Sequence, residues 1–418
     1  MRSLLQLIRQ NPALLGFGFV MMFFTSPGQT YFIALFSGEV RGELDLTHGE
    51  FGAIYSLATL ISAFLLLKTG SFIDRIDLRF FSVGCLVLLA LASLLFANAH
   101  HVVMLFLAIL LLRQIGQGLM SMTASTAMMR YAHSAKAKAN SLSNMGYSVA
   151  EATMPTVVIL LIATLGWRQS WWAIAAVLAL VLPLIILVLL RGQSQRHQTY
   201  LDALNAEPSE ETQVSQAQRH WKRGEVLRDP YFYLLTPALL SQSLLYTGFM
   251  FHQIHLVETK GWSLVLWGSL YAVFSITSIV TSLVVGVWSD RVGAVRLAPF
   301  VTLPMALGLA VLSTSNSNIA AVVFMLAMGL SSGAQGALSA PFYSERYGTR
   351  HFGSIKSLAS FAMVIMSAIS PVILGWLIDR GMAMDHLLLG GAIYAALIIA
   401  MAIVAGRRLR VALNAQPK

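Results

Sequence analysis

Charge is scarce in this sequence. Asp, Glu, Lys and Arg make up 11% of its 418 residues, where a soluble chain carries about a quarter. A single cysteine, Cys85, lies inside an apolar run, which excludes an intramolecular disulfide and a cysteine-based metal cluster. No Gly-x-x-x-x-Gly-Lys-Ser/Thr phosphate loop occurs, so ATP is not the expected energy source. No nucleophile constellation and no metal-ligand cluster stands out, so the chain is expected to be no enzyme and to need no cofactor or metal. The opening "MRSLLQLIRQNPALLGF" lacks a small-residue cleavage site and runs straight into a longer apolar segment, unlike a cleaved signal peptide.

What the chain has in abundance is apolar length: 57% of it is hydrophobic. A spanning helix needs about 20 mostly apolar residues. Twelve segments qualify, at 13–36, 51–69, 80–98, 102–128, 140–165, 170–190, 231–257, 262–285, 297–314, 319–340, 352–377 and 387–406. Barrel strands would be about ten residues long with alternating polarity, so the fold class is an all-α membrane protein of twelve transmembrane helices. Helices also satisfy every backbone group internally, as a bilayer demands.

Charge then orients the chain. An even number of spans puts both termini on one side, and 23 of the 28 Lys and Arg fall there. The opposite side has Arg41, Arg168, Lys260 and Arg380, and Arg113 lies within a span. Loops rich in Lys and Arg stay cytoplasmic, so both termini are expected inside a bacterial-type inner membrane. The net charge of +10 is then a topology signal, and no nucleic-acid partner is expected. The polar stretch 191–228 divides the spans six and six and reads as a cytoplasmic linker. The expected domains are residues 1–190, the linker 191–228, and residues 229–418.

The two halves repeat one another. Gly70, Asp74 and Arg75 in "GSFIDR" recur 216 positions later as Gly286, Asp290 and Arg291 in "GVWSDR". At the same offset Gly52 meets Gly268, Tyr55 meets Tyr271, Arg130-Tyr131 meets Arg346-Tyr347, and Pro155 meets Pro371. Six spans is an even number, so both copies enter in the same sense, as parallel repeats. Such transporters place their site at the midplane and rock one half against the other.

Twelve spans as six plus six, a long middle loop, and Gly-x-x-x-Asp-Arg after the second and eighth spans resemble the major facilitator superfamily. The resemblance covers essentially the whole chain. The family motif continues with a glycine, which Asp77 replaces in the first copy and Gly293 retains in the second. The resemblance implies alternating access, with Gly70, Asp74, Arg75, Gly286, Asp290 and Arg291 forming a conformational latch. The alternative is a static turn whose aspartates cap or pair locally.

Within the spans, ionisable residues are the informative set because hydrocarbon penalises them. Arg113 in "LLLRQIGQGL" lies near mid-bilayer and does not lose its charge. The family often carries a fourth-span Arg followed by Gln-Gly that is implicated in proton coupling; here Gln117-Gly118 comes one residue later. Glu151 in "GYSVAEATMP" lies at similar depth and is the natural partner of Arg113. Either the two form a permanent structural pair, or proton and substrate compete for it. His252 and His255 in "FMFHQIHL" suit a proton relay or a plain hydrogen-bonding role. Gln29, Tyr31, Tyr55, Gln117, Tyr271 and Gln335 complete the candidate substrate-binding set, with helix packing as the alternative for each.

The expected function is a secondary active transporter of a small organic solute, an anion such as a carboxylate because of Arg113. Proton coupling is expected from Glu151 and the two histidines, and the expected partners are substrate, protons and the lipid bilayer, without an obligate protein partner. The stretch "LRDPYFYLL" is similar to monocarboxylate-porter-like members of the family. The rival readings are an exporter of amphipathic or cationic compounds drawn to Glu151, and a transport-dead sensor with the same fold. The fifth span keeps only Gly146 and Pro155 of the glycine-rich motif usual in drug antiporters, which counts against the exporter.

Overall fold

In the computed structural model, residues 9, 11–74, 76–132, 136–205, 221–348 and 351–414 are described. Eleven helices are long and apolar enough to cross a membrane, and a bent pair makes up to twelve. In chain order these are α1 (Pro12–Ala34), which bends by 63° into Ser37–Leu44, α2 (His48–Thr69), α3 (Leu78–Ala97), α4 (Val102–Tyr131), α5 (Lys138–Leu165) and α6 (Trp167–Leu189). They continue with α7 (Pro230–Phe251), α8 (Leu264–Val292), α9 (Ala294–Thr314), α10 (Asn318–Tyr347), α11 (Ile355–Asp379) and α12 (Met384–Arg408). No strand occurs among the described residues. This is a multi-pass, all-α membrane protein.

Its surface is that of a protein in lipid. Leu67, Phe80, Leu180, Leu283 and Ile319 are each more than two-thirds exposed. In water such apolar area costs roughly 25 cal/mol per Å²; facing acyl chains it costs nothing.

The chain forms two compact units, Met1–Leu46 with Ala53–Gln213, and Thr47–Gly52 with Val214–Lys418. In the first, α1 packs on α5 and α4, and α3 packs on α6 and α4. In the second, α7 packs on α11, and α9 packs on α12 and α10. The pairs 1–5, 3–6 and 3–4 thus recur as 7–11, 9–12 and 9–10. The repeat legible in the sequence is a repeat of packing as well.

The helices α1 and α4 are irregular where they meet. Residues Ser26–Gly28 tighten into a 3-10 turn around Pro27, and Arg113–Met120 of α4 widen into a π-helix. A Cβ on Gly116 would sit 2.9 Å from the Gly28 Cα. Only two glycines allow that approach, and it brings the broken backbone of α1 against the arginine turn of α4.

Candidate functional site

Breaking α1 at Ser26–Gly28 removes the intrahelical partner of the Gly28 carbonyl. Arg113 supplies the replacement: its Nη1 donates to the Gly28 carbonyl at 3.0 Å and to Thr30 Oγ1 at 3.5 Å. The guanidinium also lies 5.1 Å from the centre of the Tyr55 ring, a cation–π contact. The Tyr55 hydroxyl in turn shares a 2.5 Å hydrogen bond with Thr30. Arg113 is 2% exposed, and its Nε has no hydrogen-bond partner.

No ion pair joins Arg113 to Glu151 among the described residues. Tyrosines stand between them instead. The Tyr147 hydroxyl donates to Glu151 Oε1 at 3.3 Å, and the Tyr147 ring meets Tyr31 edge-on at 6.4 Å. Tyr31 donates to Ser26 Oγ at 2.9 Å, back at the break in α1. Glu151 is 6% exposed, so its carboxylate is held among phenols in a dry site. Gln29 is buried beside this cluster in sequence, and Gln117 is exposed on the π-helical turn. Thr30 and Tyr147 escaped the sequence reading. Tyr147 was within reach, because it precedes Glu151 by one helical turn; the role of Thr30 depends on the break in α1 and left no signal.

Comparing the repeats shows how room was made for Arg113. The positions matching Arg113 and Gln117 in the second unit are Gly329 and Gly333. There α10 lies directly on α8, and a Cβ on Gly329 would fall 2.6 Å from the Phe274 carbonyl. The first repeat puts two long polar side chains where the second has none. Tyr271, the repeat mate of Tyr55, donates to Gln253 Oε1 at 2.7 Å, which also accepts from Trp267 Nε1 at 2.9 Å. Gln335 is half-buried on α10.

In the second unit, α7 ends at Phe251 and a short helix, Gln253–Lys260, follows. His252 sits in the joint, with Nε2 2.8 Å from the Pro371 carbonyl. His255 lies in the next turn, its ring 4.6 Å from that of His48, and His48 is 5.7 Å from His252. The His48 and Gly49 amides donate to the two Asp379 oxygens at 3.0 and 2.7 Å. His48 and Asp379 are distant in sequence, which hid them from a linear reading. Among the described residues no group of His, Cys, Asp or Glu could hold a metal ion.

The two Gly-x-x-x-Asp-Arg turns are finished differently. Arg75 and the side chain of Asp74 lie outside the described residues. Gly70 packs against Met122 of α4, and Asp290 and Arg291 are exposed at the end of α8, after Gly286. Asp77, the departure from the family pattern, caps α3 by accepting from the Arg79 amide and pairs with its guanidinium at 3.0 Å. That hydrogen bond holds the Asp77 carboxyl below the usual carboxylate range. In the second copy Gly293 adopts φ +93, a conformation open to glycine, and has no side chain to cap with. The carboxylate comes instead from α10: Glu345 Oε2 accepts from the Ala294 amide at 2.6 Å.

A family model described as the Major Facilitator Superfamily matches residues 15–371. The chain belongs to that superfamily, a class of membrane transporters. Among solved structures, it is similar to a bacterial homologue of the human lysosomal transporter Spinster, with a TM-score of 0.70 at 12% identity, covering 95% of this chain and 97% of that one. It is also similar to the nucleoside transporter NupG, with a TM-score of 0.67 at 14% identity, covering 97% and 99%. At such identities the likeness is one of fold. No curated protein matches the sequence at a significant level.

Proposed function

We propose that this transporter moves a small organic anion, such as a carboxylate, in symport with protons. The observation that carries the reading is Arg113: 2% exposed, bound to a carbonyl and a phenol ring, with no carboxylate against it and its Nε unpartnered. A buried cation without a counter-ion costs several kcal/mol, and an anionic substrate recovers that cost on binding. Glu151, hydrogen-bonded by Tyr147, is the proposed proton carrier, with His252 and His255 as further candidates. Tyr31, Tyr55, Gln29 and Gln117 would line the substrate's path in the first unit, Tyr271 and Gln335 in the second. The Gly70–Arg75 and Gly286–Arg291 turns are proposed to bear the latch, with the Ile73 carbonyl tied to Arg130 Nη1 at 3.2 Å. The proposed domains run 1–190 and 229–418 about a cytoplasmic linker, with both termini inside the inner membrane.

The test is counterflow of labelled organic acids in proteoliposomes. Wild-type protein should exchange at least one carboxylate. Arg113→Gln should lower its rate by about 100-fold, and Arg113→Lys should rescue little, since an ammonium neither forks nor stacks as a guanidinium does. Undiminished exchange by both variants would refute the anion reading, and efflux of cationic amphiphiles alone would replace it with the exporter.

A further inference from the structure

The turn of α1 that holds Arg113 is gripped at both ends. Ser26 opens the 3-10 turn Ser26–Gly28, and its Oγ accepts from the Tyr31 hydroxyl at 2.9 Å while donating to the Phe23 carbonyl at 2.7 Å. Gly28 closes the turn, and its carbonyl accepts from Arg113 Nη1 at 3.0 Å. Three residues of backbone therefore lie between a buried phenol and a buried guanidinium.

The repeat shows what else Tyr31 faces. At the offset of 216 residues its mate is Thr247, and the mate of Glu151 is Ser367. Thr247 Oγ1 and Ser367 Oγ share a hydrogen bond at 3.1 Å, across the packed pair α7 and α11. The same two positions on α1 and α5, which pack in the same way, carry a phenol and a carboxyl group. The Tyr31 phenol lies within electrostatic reach of Glu151. Around Glu151 the remaining titratable and charged groups are Tyr147, one turn earlier on α5, and beyond the phenols Arg113 of α4 with Tyr55 of α2.

A phenol has one proton to donate. Here Ser26 receives it. An ionised Glu151 competes for that proton, since a hydrogen bond to a carboxylate is roughly twice as strong as one between neutral groups; a protonated Glu151 does not. We propose that the Tyr31 hydroxyl is the coupling switch of the transport site, bracing Ser26 when Glu151 is protonated and drawn away from it when Glu151 is ionised. The braced turn presents the Gly28 carbonyl to Arg113 and keeps the guanidinium placed for an anion. Ser26 acts through Tyr31 and the turn, as a positioning residue. The switch rests on the reading of Arg113 as anion site and Glu151 as proton carrier, and supplies the residues by which one senses the other. Proton and anion then bind cooperatively, and the coupling is reciprocal.

The test measures exchange in proteoliposomes with labelled lactate and benzoate as probes, at about pH 5 and about pH 8, where both acids are mainly ionised. For an exchanged probe, wild-type KM should be about tenfold lower at the acid pH, a typical size for coupling between sites. Glu151→Gln, fixed in the neutral form, should keep the low KM at both pH values. Ser26→Ala removes the acceptor and leaves Tyr31, Glu151 and Arg113 in place; it should reduce the ratio of the two KM values to about twofold or less. Ser26→Thr restores a hydroxyl and should bring most of the ratio back. Tyr31→Phe keeps the ring and loses the switch hydroxyl, so it should behave as Ser26→Ala does and covers the case in which the alanine variant fails to fold. A hydrogen bond with a purely structural role would shift KM or Tm alike at both pH values and leave the ratio intact. A wild-type ratio in both Ser26→Ala and Tyr31→Phe would overturn the switch alone, whereas a wild-type ratio in Glu151→Gln would overturn the proton-carrier reading beneath it. Exchange of neither probe by wild type, or a wild-type KM independent of pH, would overturn both.

Discussion

At the scale of single residues, Arg113 sets function against stability. Its guanidinium gains a hydrogen bond to the Gly28 carbonyl and the face of Tyr55, together worth about 2–4 kcal/mol. Burial without a counter-ion costs at least as much. Arg113→Met should therefore melt no lower than wild type in detergent while transport is lost; a fall in Tm of ten degrees or more would make Arg113 a structural strut. Glu151 answers to a different measurement. Glu151→Gln keeps the Tyr147 hydrogen bond but carries no proton, so uphill accumulation driven by a pH gradient should vanish while counterflow persists. Accumulation equal to wild type would remove Glu151 from the coupling path. Both residues stood out in the sequence because charge in an apolar run is conspicuous. The Gly28 carbonyl and Thr30, which hold Arg113, were invisible there, because a helix break three spans away supplies them.

Helices carry the next layer. The glycines Gly329 and Gly333 let α8 and α10 touch, where the first repeat has Arg113 and Gln117. Gly329→Leu should cost about 1–3 kcal/mol by overpacking, read as a lowered Tm, whereas Gln117→Leu on the exposed turn should leave Tm within a degree or two. Equal effects would mean that the two repeats pack alike at these positions. Helix ends show the same division of labour. Asp77 caps α3 from within its own turn, and Glu345 caps α9 from another helix. Because Arg79 depresses the Asp77 carboxyl, this cap contributes fully above the ordinary carboxylate range near pH 4 and is lost as the pH falls below it. The Asp77 cap could be read from its place one residue before an apolar run. The Glu345 cap could not, since it lies 51 residues beyond the start of the helix it serves.

For the whole molecule, the repeat makes orientation testable. Cys85 is buried, so an impermeant maleimide should leave wild-type cells unlabelled. With both termini cytoplasmic, Asn318→Cys, exposed at the start of α10, should label on intact cells, and Gln195→Cys in the linker should label only after permeabilisation. The reverse pattern would invert the topology drawn from the Lys and Arg distribution.

Span number, the internal repeat and the superfamily were determined by the sequence alone, because each rests on local or evenly spaced signals. Apolar length fixes a span, and a constant offset of 216 residues survives without any knowledge of packing. Which side chains meet was decided only by the tertiary structure. The break in α1, the π-helical turn in α4, the tyrosines between Arg113 and Glu151, and the joining of His48 to His252 and His255 depend on how irregular helices pack. Packing is set by many weak contacts between residues far apart in the chain, and no short stretch of sequence records it.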